Sequence, residues 1–280
     1  MTRPQFAPPA SRDQQFRDVR RALSGAFSLV EMLVVVAIMA IVMMVAIPAF
    51  STLSRANDFT TAVSGVSGML ERARTYAMAN NVYVYVGIAE VSADVPASTV
   101  PQVAATTSVG GRLAMAAVVV REGTRGYTLL PTLPSPAWGN YNKGSDLVAV
   151  GKLEVFENVH LAAFTHQPPT TGSMARPSTT SLYQLGDPTC TSVTPFAWPL
   201  GSDLASDQCQ YYFQKVIQFD PQGTARIQYA SNQDNIVQWM EIGLQQSYGS
   251  YTPPMPATDT GAIAAILVDG LTGAIRIYRP

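Results

Sequence analysis

The sequence has few charged residues, few histidines and few cysteines for its length. Asp, Glu, Lys and Arg make up 13% of the 280 residues, hydrophobic residues make up 47%, and there are two histidines and two cysteines. So low a charged fraction, against about 25% in typical soluble domains, favours an exported or membrane-attached chain. His160 and His166 have no cysteine or carboxylate pattern around them that would form a zinc site.

The sequence also lacks the local motifs of the common catalytic and nucleotide-binding sites. It has no phosphate loop, no G-x-S-x-G elbow, no H-E-x-x-H and no G-x-G-x-x-G. Glu154 and Glu157 resemble a pair of acids, but in the strand predicted there they point to opposite faces, which favours a solvated strand edge. We therefore expect no enzyme activity, no catalytic residue, no metal and no cofactor.

Positive charge is concentrated before a long hydrophobic run. The first 26 residues hold five arginines and two aspartates, a net charge of +3, which leaves −4 for the remainder of a chain whose total is −1. Residues 32–49 are uncharged and would span about 27 Å as a helix, close to the roughly 30 Å hydrocarbon core of a bilayer. The run predicts a single membrane span with a cytoplasmic N-terminus. The alternative is an ordinary signal peptide, because "AIPAF" can imitate a cleavage site.

Glu31 lies at the entrance of this run, where a carboxylate needs a positive partner. Placing a charged side chain in the membrane costs roughly 2.5 to 3.5 kcal/mol at the middle of the bilayer and less near the interface. No Lys or Arg lies between Arg21 and Arg55, so the expected partner is a new α-amino group made by cleavage nearby. "AFSLVE", followed by a hydrophobic helix with a proline near its far end, resembles the N-terminal signal of type IV prepilins and type II secretion pseudopilins.

The resemblance implies cleavage by a prepilin peptidase and methylation of the new amine. It makes Phe27, after Ala26, the mature N-terminus, and it makes Glu31 the fifth mature residue. Pro48 becomes the twenty-second, where many pilins have a helix-bending proline. The family usually has Gly before the cut, so cleavage between Gly25 and Ala26 stays open as an alternative.

The resemblance also implies how the mature chain assembles. Glu31 of one subunit would meet the Phe27 amine of a neighbour, a pair that sets register more than it adds stability. The expected partners are the prepilin peptidase, other pilin-like subunits, the assembly machinery and the inner membrane. The expected organisation is a leader at 1–26, a transmembrane and amphipathic helix at 27–80, and a β-rich periplasmic domain at 81–280.

A second amphipathic stretch follows Pro48 and predicts that the helix continues past the proline, with a kink there. Its apolar residues recur at helical spacing. They are Phe59, Ala62, Val63, Val66, Met69, Leu70, Ala73, Tyr76 and Ala77. Gly65 and Gly68 weaken this part, and Asn80 with Asn81 predicts its end.

The remainder predicts β-structure, so the expected fold class is α+β and pilin-like. Strands or hairpins are expected at 82–88, 112–122, 151–164, 215–230, 237–246 and 264–280. The helix ending in "LERARTYAMANN", the strand, "FDPQG" and the closing "TGAIRIYRP" resemble GspH/FimT-type minor pseudopilins and, in outline, the prepilin-like family called Verru_Chthon cassette protein D.

Long loops rich in Pro, Ser, Thr and Gly are expected at 91–111, 131–146, 167–209 and 247–261. The loop at 167–209 holds Cys190 and Cys209, an even count that suggests a disulfide outside the cytoplasm, with two buried thiols as the alternative.

Three functions remain open at this point. The favoured one is a structural subunit, a minor pilin or pseudopilin of a type IV pilus or a type II secretion-like pseudopilus. The second is a binding module at a filament tip, an adhesin or a DNA binder, for which Arg276 and Arg279 form only a weak basic patch in an acidic body. The third is an exported enzyme that carries the same leader.

Overall fold

The computed structural model describes most of the chain after the N-terminal segment. The described residues are 28–105, 110–123, 147–164, 182–191, 195–200, 208–227, 237–254 and 262–279, with backbone only for 45–56. The chain divides into two units, Met1–Thr52 and Leu53–Pro280. The predicted leader at 1–26 lies outside the described residues.

A single helix, α1, runs over Leu29–Asn80. It passes through residue 48 without a break, so the prediction that the helix continues past the proline is confirmed. The predicted kink concerns a region whose side chains are not described, and it stays a prediction. The helix ends as predicted, because Asn81 adopts a left-handed conformation with φ 55° and Val82 N donates to Ala77 O at 3.1 Å. This is a Schellman cap with Asn in the place that Gly usually takes.

The apolar stripe of α1 packs into the core of the second unit. All nine predicted residues except Tyr76 are buried, and Tyr76 is 39% exposed because it lies at the margin of the stripe. Packing explains the glycine at position 65, because a Cβ there would overlap the ring of Phe156. A Cβ on Gly68 would meet nothing within 4 Å.

Nine of the thirteen strands in the described residues overlap the predicted segments. The thirteen are β1 Val84–Ser92, β2 Gly111–Val120, β3 Leu147–Ala149, β4 Glu154–Glu157, β5 Val159–Ala162, β6 Leu182–Gln184, β7 Phe196–Trp198, β8 Tyr211–Phe213, β9 Lys215–Phe219, β10 Ala225–Ile227, β11 Trp239–Gln246, β12 Ile263–Asp269 and β13 Ile275–Tyr278. Strands β6 and β7 lie inside the segment expected to be a loop. Each has three residues, too few to show alternation, and β6 pairs with the distant β11.

The strands form two larger sheets and one hairpin-sized pair. The first sheet has the order β10-β9-β1-β2-β3, with β4 also paired to β2, and all its pairs are antiparallel. The second has the order β13-β12-β11-β5, with β6 parallel to β11. Strands β7 and β8 pair only with each other. The described residues therefore give an α+β fold, as expected.

Alternation along β1 shows how the core is divided. Val84, Val86 and Ile88 belong to the cluster that contains the stripe of α1 and residues of both larger sheets. Tyr85 and Ala89, on the opposite face of β1, pack with residues of β7 and β8. The first sheet is therefore covered on both faces, which explains why β1 and β2 are almost continuously apolar and buried.

Candidate assembly site at the start of helix α1

Ser28 and Glu31 form a reciprocal cap at the first turn of α1. The backbone N–H of Ser28 donates to Oε2 of Glu31 at 2.9 Å, and the backbone N–H of Glu31 donates to Oγ of Ser28 at 3.2 Å. Met32 N donates to Ser28 O at 3.2 Å, which makes Ser28 the N-cap residue. This is the capping-box arrangement, in which two otherwise unsatisfied donors of a helix start are paired.

The cap changes the interpretation of Glu31. Its carboxylate already has a hydrogen-bond partner and lies at the positive end of the helix dipole, so part of its cost in an apolar segment is met within its own chain. Among the described residues, Oε1 of Glu31 has no partner. One oxygen atom is therefore held by Ser28 and the other is open to a second donor.

The residues on both sides of Glu31 at the start of α1 expose a long apolar surface. From Leu29 to Met44 all side chains are exposed, with Leu29 at 80% and Met44 at 81%. Among the described residues, no helix is both long enough and apolar enough to cross a membrane. The predicted span at 32–49 includes positions whose side chains are not described, and it stays a prediction.

The predicted cleavage residues, Ala26 and Phe27, lie outside the described residues. Their place in the sequence is still informative, because Phe27 directly precedes Ser28. An amine at Phe27 would therefore lie one residue from the N–H that already binds the Glu31 carboxylate. The assembly role of Glu31 and the helix bend at Pro48 stay predictions.

Comparison with protein families gives a match at this end of the chain. Residues 21–47 match the family described as the prokaryotic N-terminal methylation motif. The chain carries a prepilin-type signal. The match supports the type IV pilin and pseudopilin family, whose subunits are structural, and it covers Ala26, Phe27 and Glu31. No curated protein and no solved structure gave a significant match, so the GspH/FimT and Verru_Chthon cassette resemblances stay predictions.

The two acids of β4 have separate partners. Arg72 of α1 pairs with Glu154, and Nε of Arg112 lies 2.7 Å from Oε1 of Glu157. The two carboxylates therefore do not form an acid pair. They lie on a strand that pairs with β2 on one side only, and both stay partly exposed while each binds an arginine. Among the described residues, no three potential ligands are grouped as a metal site.

Glu90, on β1, is held by groups from outside its own strand. Oε1 accepts from Gly111 N at 3.1 Å and lies 2.8 Å from Nδ1 of His160, and Oε2 accepts from Leu161 N at 3.1 Å. The contacts with β5 join the first sheet to the second. His160 is thus part of a cross-sheet contact, which its neighbours in the sequence do not indicate. His166 lies outside the described residues.

Cys190 and Cys209 are both buried and are thiols in this structure. Cys190 packs in the cluster around α1, and Cys209 packs with Ala197 and Tyr212. Burial raises the pKa of Cys190, while a hydrogen bond with Tyr183 and the charge of Lys215 act in the other direction. The disulfide stays a prediction about the exported protein.

Two contacts were missed by the sequence interpretation. The spacing "SLVE" is a Ser-x-x-Glu capping box immediately before an apolar run, and it was a sufficient signal for Ser28. The ring of Trp239 lies 5.7 Å from the guanidinium carbon of Arg276, a cation–π contact between strands β11 and β13. No local pattern indicates it, because the two strands are separated by β12 in the sheet.

Proposed function

We infer that the protein is a structural subunit, a minor pilin or pseudopilin processed by a prepilin peptidase and assembled through the start of α1. The observation that carries this proposal is the methylation-motif match at residues 21–47, which includes a capped Glu31 with one oxygen atom open to a donor. Filaments of this kind need no chemistry from the globular part, which agrees with a fold built around a helix on two sheets.

The processing step removes the arginine-rich leader and leaves the apolar part of α1 as an inner-membrane anchor. Cleavage between Ala26 and Phe27 generates an amine next to the N-cap. The globular residues then lie on the periplasmic side, as the arginines of the leader predict.

The assembly step uses the open oxygen atom of Glu31. Ser28 fixes the carboxylate at the helix start, so the amine of a neighbouring subunit meets an already oriented acceptor. Moving a carboxylate out of water costs less free energy when it already has a hydrogen-bond partner than when it has none. The pair then selects the axial position at which two apolar helices pack.

Mass spectrometry of the protein extracted from membranes tests the processing step. We expect an N-terminus at Phe27 that carries a methyl group. A chain that retains its leader, or one that starts near Phe50, would contradict the proposal.

Substitution in α1 tests the assembly step. Glu31→Gln keeps the size of the side chain but removes the charge, and we expect normal membrane insertion with loss of incorporation into filaments. Glu71→Gln is the matched control, because Glu71 is an exposed glutamate on the same helix. Ser28→Ala should reduce incorporation less than Glu31→Gln, and equal incorporation of Glu31→Gln and Glu71→Gln would remove the role of Glu31.

A further inference from the structure

A cavity of about 600 Å³ lies in the second unit. Its wall includes Glu90 of β1, His160 of β5 and Lys215 of β9, together with apolar residues such as Ala104 and Leu161. Small-molecule sites in proteins have volumes of about 300 to 1,000 Å³ and combine apolar walls with a few convergent polar groups. The cavity has both properties.

Lys215 is the distinctive group in this wall. Its Nζ donates to the backbone oxygens of Asp187 at 2.7 Å and Cys190 at 3.2 Å. An ammonium has three hydrogens, so one donor is left over. Within the described residues Nζ has no carboxylate within ion-pair distance, since Asp187 and Glu90 act on it only through space.

The two nearby carboxylates accept hydrogen bonds from groups other than Lys215. Glu90 accepts hydrogen bonds at both oxygen atoms from Gly111, His160 and Leu161. Oδ1 of Asp187 accepts from the N–H and the hydroxyl of Thr189 at 2.8 and 2.7 Å. Burial lowers the pKa of Lys215 because the charged ammonium loses hydration, while the charges of Asp187 and Glu90 act in the other direction.

His160 supplies a second polar group. Because a carboxylate only accepts hydrogen bonds, the contact with Glu90 places a proton on Nδ1. Nε2 has no partner among the residues that the structure describes, and in the tautomer with its single proton on Nδ1 it carries a lone pair. A ligand that carries a carboxylate and a neighbouring N–H would satisfy both Lys215 and His160.

We propose that this cavity binds a free carboxylate on an apolar body, with Lys215 as the charged anchor and His160 as the acceptor for an adjacent N–H. Glu90 is a positioning residue, since it fixes the tautomer of His160 and does not face the ligand with a free oxygen. The carboxylate has two possible sources, a small organic acid or the C-terminal residue of a peptide.

Isothermal titration calorimetry of the full-length protein in detergent tests the proposal with three probes. Hexanoate represents a small apolar acid, N-acetylleucine has a carboxylate next to an amide N–H, and N-acetylleucinamide lacks the carboxylate. We expect N-acetylleucine to bind more tightly than hexanoate, and N-acetylleucinamide not to bind. Hexanoate binding as tightly as N-acetylleucine would overturn the part assigned to His160, and equal binding of the amide would overturn the site.

Two variants separate binding from folding. Lys215→Met keeps the apolar stem and should weaken N-acetylleucine binding by about tenfold to a hundredfold, whereas Lys152→Met, at an exposed lysine, should not change it. Ala104→Phe fills the cavity without removing a polar partner and should abolish binding with an unchanged melting transition. If Lys215→Met does not fold, the binding measured with Ala104→Phe tests the proposal instead. Unweakened binding to a folded Lys215→Met or to Ala104→Phe, or no heat from any probe, would refute the proposal.

Discussion

Arg112 and Glu157 join strands β2 and β4 through an ion pair that is buried at one end only. The side chain of Arg112 is 7% exposed and that of Glu157 is 49% exposed. Arg112 also donates through its NH1 nitrogen to the backbone oxygen of Val95 at 2.9 Å and to Oε1 of Gln102 at 3.2 Å. The guanidinium therefore fixes the segment that follows β1 against the start of β2.

The two acids of β4 offer a matched comparison of ion pairs. Glu157→Gln leaves a buried guanidinium without its counter-charge, and we expect the free energy of unfolding to fall by about 1.5 to 3 kcal/mol. Glu154→Gln breaks the pair with Arg72, which is 66% exposed, and should cost no more than about 1 kcal/mol. Urea denaturation followed by circular dichroism measures both values. Equal losses would show that the burial of Arg112 does not matter.

The two glycines of α1 offer a second comparison. Gly68→Ala adds a methyl group in open space, so we expect a gain of about 1 kcal/mol from helix propensity. Gly65→Ala forces the ring of Phe156 to move, and this overpacking offsets the gain by about 1 to 3 kcal/mol. Urea denaturation should show that Gly68→Ala is more stable than the native protein and that Gly65→Ala is less stable than Gly68→Ala.

A double substitution checks the cause of that ranking. Phe156→Leu removes the ring edge that a Cβ at position 65 would overlap. Gly65→Ala should therefore be less unfavourable in a Phe156→Leu background than alone. If Gly65→Ala lowers the free energy of unfolding equally in both backgrounds, the ring of Phe156 is not the cause of the loss.

The cysteines can be tested by alkylation of the exported protein. If they form a disulfide, unreduced protein in denaturant will not react with maleimide, and its mass will be that of the reduced chain less two hydrogens. Cys190→Ser should then expose one reactive thiol at Cys209. If both native cysteines react without reductant, the disulfide prediction is wrong.

Tyr212 should make stability depend on alkaline pH. Burial raises the pKa of its hydroxyl above the usual value of 10.0, so the folded chain retains a proton that the unfolded chain loses. The contribution is fully present below about pH 10 and is lost as the pH rises through the folded pKa. The difference in melting temperature between the native protein and Tyr212→Phe should therefore change only above about pH 10. A constant difference up to pH 11 would contradict this assignment.

The local sequence pattern was sufficient to predict the helix and most strands. The stripe from Phe59 to Ala77 is visible because a helix buries residues three and four apart, and the β1 segment is visible because β-branched and aromatic residues cluster there. The end at Asn81 was also visible, because Asn tolerates the left-handed conformation of a helix cap.

Contacts between distant segments were not visible in the sequence. Nothing near His160 indicates Glu90, since the two residues belong to different sheets and their separation depends on how α1 brings those sheets together. Strand β6 is defined by β11, which follows it by more than fifty residues. The Lys215 cavity has the same origin, because its wall is assembled from strands β1, β5 and β9.

The burial of the α1 stripe between residues 59 and 77 bears on how the domain carries mechanical load. In the fibre proposed above, a subunit held by its N-terminal end is stretched through that helix. Because the stripe contacts both larger sheets, tension is distributed in shear over many side chains and does not fall on one connecting loop. The most load-resistant part of the domain is therefore also the part that a soluble truncation has to keep.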